Sequence, residues 1–231
     1  MGRKVIGILG GMGPEATADL FLKIIRATPA EKDQDHLRVI IDNNPQIPDR
    51  TAAILNQGTD PLPMLVETAK NLVRAGADLI LIPCNTAHYY YQEIQAQCPL
   101  PVLNMIELCA RRAREIVPAL ERIGLLATRG TIATGLYESA FRKWGVQVYT
   151  PPEEELERIM KVIYGVKAGC PRRELKPLWL PVVRGLVNRG IQGVVLGCTE
   201  LPLVIDPEEV PVPVLDPTAI LAREAVSYAL E

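Results

Sequence analysis

Short apolar runs alternate with longer amphipathic stretches along the whole chain. Runs such as LILI and VVLG are almost entirely apolar, which is typical of parallel strands buried on both faces. Their alternation with helical stretches predicts a parallel sheet covered by helices. The predicted strands span residues 5–9, 38–42, 79–82, 102–104, 122–127, 147–149, 193–196 and 212–215.

The predicted strands fall into two series with the same internal plan. The segment VIGILGGMGPEAT (5–17) aligns with RIGLLATRGTIAT (122–134) at an offset of 117 residues. The segment AKNLVRAGADLILIPCNT (69–86) aligns with VRGLVNRGIQGVVLGCT (183–199) at an offset of 114 residues. The constant spacing within the second alignment indicates two related halves rather than a chance likeness between two α/β segments.

Two pairs of residues mark the second alignment. Gly76 and Gly190 are 114 residues apart, and each is expected just beyond the C-terminal end of a helix. Cys84 and Cys198 are also 114 residues apart, and each follows an apolar run. The two cysteines are therefore predicted to occupy the same place in the two halves.

We predict an α/β protein made of two pseudo-symmetric parallel-sheet α/β halves with the active site between them. The first half comprises residues 1–106 together with 211–231, and the second comprises residues 107–210. The last helix, 217–230, is expected to pack back onto the first half. Ligands of parallel α/β sheets bind beyond the carboxyl ends of the strands, so the site is expected there.

Composition narrows the possible functions. The 231 residues are 48% hydrophobic and 23% charged, as in an ordinary globular protein. A formal net charge of −2 provides no basic field, which argues against nucleic acid or an anionic membrane as a partner. Five cysteines without a CxxC pair favour a reducing, cytoplasmic environment. Without CxxC or HExxH motifs, no metal site is expected.

Cys84 and Cys198 are the strongest candidates for chemistry. A thiol has an unperturbed pKa of about 8.5, close enough to neutrality to act as an acid or a base. A thiolate on one face of a carbon and a thiol on the other can remove and return a proton, as racemisation requires. A helix N-terminus after each cysteine would favour the thiolate. The predicted caps and carboxylate donors there are Asn85, Thr86 and Thr199.

Other titratable residues have simpler interpretations. Arg50 and Lys167 are candidate counter-ions for an acidic side chain, although each alone resembles a solvated surface charge. His88 follows Cys84 by four residues, and we expect it to cap or pack rather than to act as a base. The remaining cysteines are expected to be small buried apolar residues. They are Cys98, Cys109 and Cys170.

The glycine-rich turn after the first predicted strand has the form of a dinucleotide-binding motif. Gly11, Gly13 and Ala16 match that pattern. The acidic residue expected about 20 positions further on is missing from its place. Pro14 also removes an N–H group that a pyrophosphate would use. Nucleotide binding is therefore disfavoured.

Four motifs together resemble a known family, the pyridoxal-phosphate-independent, two-cysteine aspartate/glutamate racemases. The motifs are GGMGP (10–14), NNPQIPDR (43–50), PCNTAH (83–88) and GCTELPL (197–203). Cell-wall glutamate racemases have an Asp-Ser-Gly turn after the first strand and a histidine after the second Cys-Thr. Here GGM and Glu200 occupy those places, which is similar to the aspartate racemase branch.

The resemblance implies roles for particular residues and no cofactor. Cys84 and Cys198 would be the acid/base pair. The residues implied to hold the α-carboxylate and amino group are Asn85, Thr86, Thr128 and Thr199. Those implied to bind the side-chain carboxylate are Met12 (through its backbone), Arg50 and Lys167. The partner would be a small amino-acid substrate, and the assembly would be a homodimer.

Several alternatives share the fold or the thiols. Broad-specificity racemases and maleate isomerases use two cysteines, whereas arylmalonate decarboxylases keep only one and are disfavoured. A non-catalytic carboxylate-binding protein would bind ligand without exchanging an α-proton. A thiol redox protein would need the Cα atoms of Cys84 and Cys198 within about 7 Å of each other.

Overall fold

All the strands in the described part of the chain run parallel to their sheet neighbours. The computed structural model describes residues 2–231. Its strands are β1 (Ile6–Gly10), β2 (Val39–Asn43), β3 (Leu79–Leu81), β4 (Arg122–Ala127), β5 (Gln147–Tyr149), β6 (Val194–Gly197) and β7 (Val214–Leu215). They form two sheets flanked by helices, so the predicted α/β class is confirmed.

Ten α-helices connect and cover the strands within residues 2–231. They are α1 (Pro14–Ala27), α2 (Arg50–Ile54), α3 (Leu62–Arg74), α4 (Tyr91–Gln97), α5 (Met105–Ile116), α6 (Arg129–Ala133), α7 (Leu136–Arg142), α8 (Glu153–Lys167), α9 (Arg172–Asn188) and α10 (Pro217–Leu230). Short 3₁₀ segments lie at Asp33–Asp35, Thr86–Tyr90, Leu201–Leu203 and Pro207–Glu209. No helix in the described range combines the length and apolar character needed to cross a bilayer.

The first three strands of each half are arranged in the same order. The first sheet is ordered β2-β1-β3, and the second is ordered β5-β4-β6-β7. The central strand of each half is thus the one that opens it, β1 or β4. A lone bridge between Ile80 and Val102 lies beside β3, where β7 lies beside β6 in the second sheet. The repeat seen in the sequence therefore corresponds to a repeat in topology.

The strand predicted at residues 102–104 is wrong, because the chain makes only this one-residue bridge. The Ile80 N–H donates to the Pro101 carbonyl at 2.9 Å, and the Leu103 N–H donates to the Ile80 carbonyl at 3.0 Å. Pro101 has no N–H with which to extend the ladder. Two residues after Leu103 the chain has already entered α5 at Met105.

The described chain divides into two compact units. The first unit contains residues 2–105 and 218–231, and the second contains Ile106–Pro217. The chain returns to the first unit at Thr218 rather than at residue 211, because β7 pairs with β6. Within the first unit, the Lys4 N–H donates to the Ala229 carbonyl at 3.0 Å, which ties α10 to the start of the chain.

Each unit has its own apolar core around its central strand. All five residues of β1 are buried, as are all four of β6, which explains their uninterrupted apolar sequences. Gly76 and Gly190 follow the last residues of α3 and α9 and have φ angles of +89° and +81°. Both lie in the left-handed region that ends many helices, so their predicted position is confirmed.

Candidate active site

Cys84 lies in a tight turn just beyond the carboxyl end of β3. Its N–H donates to the Ile82 carbonyl at 2.8 Å, which closes the turn over Pro83. The Cys84 side chain is buried, and the Asn85 and Thr86 side chains that follow are buried as well. The strand end therefore presents a thiol, an amide and a hydroxyl in consecutive positions.

His88 is part of the support of this turn. Its Nδ1 lies 2.8 Å from the Cys84 carbonyl, and the Met105 N–H donates to its Nε2 at 3.1 Å. A carbonyl only accepts and an N–H only donates, so the ring carries its proton on Nδ1. Burial lowers the pKa of His88, while the hydrogen bond to Cys84 opposes this shift. A neutral imidazole with a hydrogen bond at each nitrogen fits the predicted packing role.

The segment after Cys84 differs from the expected α-helix N-terminus. Thr86–Tyr90 form a 3₁₀ segment before α4, and Asn85 precedes it without a capping hydrogen bond from its side chain. In the second unit the corresponding 3₁₀ segment is Leu201–Leu203, and Glu200 rather than Thr199 precedes it. The predicted capping roles of Asn85 and Thr199 are therefore wrong. A short 3₁₀ turn aligns few peptide dipoles, so its field is weaker than that of an α-helix.

Arg50 is a buried cation. Arg50 is the first residue of α2. It is only 8% exposed, so it is not a solvated surface charge. Its Nη1 donates to the carbonyls of Ile47 and Pro48 at 3.1 and 3.0 Å, and its buried Nε has no hydrogen-bond partner among the described residues. Since Nη1 donates to uncharged carbonyls, these contacts leave the guanidinium able to pair with an anion.

Met12 lies in the glycine-rich turn and packs in the same apolar cluster as Ile47, Cys84 and Tyr90. The pKa of the Tyr90 phenol is raised, mainly by burial, whereas the positive charge of Arg50 lowers it. Cys84, Met12 and the peptide that holds Arg50 thus belong to one neighbourhood of the first unit.

The glycines of this turn have a structural reason. Gly11 has a φ of +97°, and a Cβ atom there would lie 2.3 Å from the carbonyl carbon of Asn44. The Gly11 N–H donates to the Thr17 hydroxyl at 2.9 Å. The turn after β1 is thus packed directly against the turn after β2. Contacts within the chain account for the glycine without a nucleotide.

Cys198 lies directly after β6 in the second unit and is buried. Its thiol donates to Oε2 of Glu200 at 2.9 Å, and the Leu201 N–H donates to the Cys198 carbonyl at 3.0 Å. The pKa of the Cys198 thiol is raised well above its ordinary range, first by burial and then by the Glu200 carboxylate. In the sequence Glu200 marks only a family branch, and no motif there predicts this contact with Cys198.

Lys167 reaches the same group from the end of α8. Its Nζ lies 3.9 Å from Oε1 of Glu200 and 5.9 Å from the centre of the Tyr164 ring. Its positive charge favours the Cys198 thiolate and so opposes the rise in the pKa of that thiol that burial and the Glu200 carboxylate cause. The Thr199 hydroxyl lies 3.5 Å from Oε2 of Glu200. The structure therefore brings together three of the predicted second-unit residues around a carboxylate.

Thr128 lies beyond the carboxyl end of β4 and caps α6. Its hydroxyl accepts from the Thr131 N–H at 3.1 Å and lies 3.0 Å from the Thr131 hydroxyl. Thr131 is fully buried and was not among the predicted residues. The spacing of a hydroxyl residue and a partner three positions later, directly after a strand, is the signal that could have revealed it.

The other cysteines divide into two groups. Cys98 and Cys109 are buried, as predicted, and burial raises the pKa of the Cys109 thiol. Cys170 is exposed, so its predicted burial is wrong. It follows Gly169, whose φ of +75° turns the chain between α8 and α9 at the surface. Within the described residues, no three His, Cys, Asp or Glu side chains are grouped so as to hold a metal ion.

Residues 9–225 match the Asp/Glu/Hydantoin racemase family. Because this match spans almost the whole chain, the protein belongs to the Asp/Glu/Hydantoin racemase family. The family resemblance inferred from the four motifs is thereby confirmed.

Individual relatives agree with this assignment. The chain is 28% identical over 233 residues to the broad-specificity amino-acid racemase RacX of Bacillus subtilis (strain 168), with 98% of each protein covered. The structure of Picrophilus torridus aspartate racemase is 32% identical, has a TM-score of 0.89, and is matched over 98% of this chain and 94% of that one. The structure of an aspartate racemase homologue from Pyrococcus horikoshii OT3 is 27% identical and has a TM-score of 0.78. The match covers 99% of this chain and 100% of that one.

Proposed function

We propose that this protein is a cofactor-independent racemase of aspartate, with glutamate as a second acidic substrate. The observation that supports this most strongly is the equivalence of Cys84 and Cys198. Each follows the third strand of its half in chain order, and each is buried. Two thiols at corresponding strand ends provide the two acid/base groups that a racemase without a cofactor needs.

The proposed reaction moves two protons and leaves the enzyme ready for the reverse direction. One sulfur, as thiolate, takes the proton from Cα, and the electron pair of that C–H bond passes to the carbanion. The other sulfur, as thiol, gives its proton to the opposite face of the same carbon. The configuration is inverted, and the two cysteines have exchanged protonation states.

Two cations support an acidic substrate. Arg50 is buried with part of its guanidinium free of hydrogen-bond partners, and such a group binds a carboxylate in a bidentate fashion. Lys167 stands beside the Cys198–Glu200 pair with about a third of its side chain exposed. The similarity to Picrophilus torridus aspartate racemase supports the same substrate class.

A second candidate function is racemisation of many amino acids. The full-length similarity to the broad-specificity racemase of Bacillus subtilis favours it. In that case Arg50 and Lys167 would have a smaller influence on substrate choice, and neutral amino acids would react at comparable rates.

A substrate panel in D2O tests these proposals. Reduced protein is incubated with single L- or D-amino acids, and the α-proton signal is followed by NMR together with chiral chromatography of the product. We expect exchange of aspartate, and more slowly of glutamate, with early product deuterated and remaining substrate still protonated. Hydroxylamine, which traps pyridoxal phosphate, should not inhibit. Equal exchange across neutral amino acids would favour the second function, and no exchange would refute both.

A further inference from the structure

Glu200 makes a buried carboxylate contact with a candidate catalytic thiol. The residue is 3% exposed, and its Oε2 accepts the Cys198 S–H hydrogen bond at 2.9 Å. Its Oε1 is buried without a hydrogen-bond partner among the described residues and lies 3.9 Å from the Lys167 Nζ. The carboxylate is therefore stabilised by the thiol proton, by the Thr199 hydroxyl at 3.5 Å and by one ammonium group at 3.9 Å.

The charges around the Cys198 sulfur determine where its proton resides. Glu200 faces it from the same turn, Lys167 from the end of α8, and the Tyr137 phenol from α7. A thiolate would bring two negative charges within hydrogen-bond distance inside a region of low dielectric constant, which is strongly unfavourable. The ammonium group at 3.9 Å offsets only part of this repulsion.

We propose that Glu200 is a positioning residue that holds Cys198 as the protonated, oriented thiol in the substrate-free protein. The consequence for catalysis rests on the proposed function: Cys198 enters the first turnover as the acid, and Cys84 enters it as the base. After that turnover Cys84 carries the proton taken from Cα and the Cys198 thiolate lies against Glu200. The repulsion between the two negative charges favours the return of one proton to Cys198 from solvent, while Cys84 gives one proton up to solvent.

The test measures the protonation of Cys198 directly. In a Cys84→Ser background, alkylation of Cys198 by iodoacetamide is followed from pH 6 to 11 by mass spectrometry of the peptide that contains it. Each rate is divided by the high-pH plateau of the same variant, which corrects for access to the buried sulfur. With Glu200 present, we expect the midpoint to lie well above the ordinary thiol value of about 8.5.

Glu200→Gln is the decisive variant, because it removes the charge and keeps the shape. We expect the midpoint to fall by at least one pH unit, which is a tenfold rise in normalised rate at pH 8. Glu138→Gln is the matched control, since it neutralises another partly buried carboxylate of the second unit that is not among the charges acting on Cys198. Its profile should coincide with that of the parent.

Two results would overturn the proposal: a parent midpoint in the ordinary thiol range, or coincident profiles with and without the Glu200 charge. If Glu200→Gln does not fold, Glu200→Asp replaces it, because one methylene less breaks the 2.9 Å contact and should also lower the midpoint. The measurement is independent of racemase activity. A shifted midpoint in a protein that exchanges no α-proton would retain the role of Glu200 and reject the proposed function.

Discussion

The Nδ1 atom of His88 lies 2.8 Å from the backbone carbonyl of Cys84, four residues earlier. The imidazole therefore holds the backbone of a candidate catalytic residue through that nitrogen. Its other nitrogen accepts from the Met105 N–H at 3.1 Å, so both are occupied. Burial disfavours the protonated ring, and this effect outweighs the backbone hydrogen bonds to Cys84 and Leu103 that favour it.

The stability of the protein should fall on mild acidification because of His88. Burial lowers the pKa of His88 in the folded protein below its ordinary value of 6.5, so the unfolded chain takes up the proton first. The contribution of His88 is therefore present above pH 6.5 and lost as the pH falls below it. Melting temperatures measured between about pH 7 and pH 5 should show this decline before carboxylate titration dominates.

His88→Gln tests the cause, since glutamine keeps a donor and an acceptor but does not titrate in this range. The variant should be less stable at neutral pH and should lose less stability between about pH 7 and pH 5. His36→Gln, at an exposed histidine of the first unit, serves as the control and should retain the wild-type slope. Equal slopes for all three proteins would contradict the assignment to His88.

Arg50→Gln should weaken the reaction of acidic substrates. Loss of a charged hydrogen bond to a carboxylate costs about 1.5–3 kcal/mol, so kcat/KM for aspartate should fall roughly tenfold to hundredfold, mainly through KM. Arg74→Gln is the control, because Arg74 is exposed and forms a surface ion pair with Glu67. An unchanged KM for aspartate in Arg50→Gln would remove Arg50 from the substrate site.

Thr128→Val should reduce stability by about 1 kcal/mol, because it removes the cap of α6 and leaves the buried Thr131 hydroxyl without this contact. In a chain of this size that corresponds to about 2–4 °C in melting temperature. Thr128→Ser keeps the oxygen and should restore most of the loss. Calorimetry that finds the valine and serine variants equally stable would exclude the capping role.

Gly11→Ala should be more damaging than alanine at another glycine of positive φ. The new Cβ would lie 2.3 Å from the Asn44 carbonyl carbon, so backbone must move. Gly76→Ala is the matched control, since it has a φ of +89° but open space around its Cβ position. Backbone strain alone costs about 1–2 kcal/mol. In urea unfolding, Gly11→Ala should exceed that loss, and equal losses would rule out the steric contact.

The predictable parts of the fold are those whose signal lies within one strand or helix, such as a run of buried apolar residues or a glycine after a helix. The apolar run inside β4 identified that strand with its bounds unchanged, and the paired glycines marked the ends of α3 and α9. The same reasoning failed at residues 102–104, because an apolar run shows burial but not whether a ladder continues. Pro101 and the start of α5 decided that outcome.

The sequence nominates residues for the candidate site but not the contacts between them. Cys84 and Cys198 were selected from their equivalent positions, which a repeat reveals without any structure. The bond from Cys198 to Glu200 was missed because a Cys-x-Glu spacing is common and acquires meaning only when both side chains are buried. The approach of Lys167 depends on where α8 ends relative to that turn, which no local pattern encodes.

The most direct test of the central claim compares two single-thiol variants with wild type. Cys84→Ser and Cys198→Ser are assayed for α-proton exchange and racemisation of aspartate in D2O, with Cys170→Ser as the control for loss of an exposed thiol. Circular dichroism establishes that each variant is folded. We predict that Cys84→Ser and Cys198→Ser each abolish racemisation while Cys170→Ser keeps wild-type activity. Substantial racemisation by either of the first two variants would contradict the two-thiol mechanism.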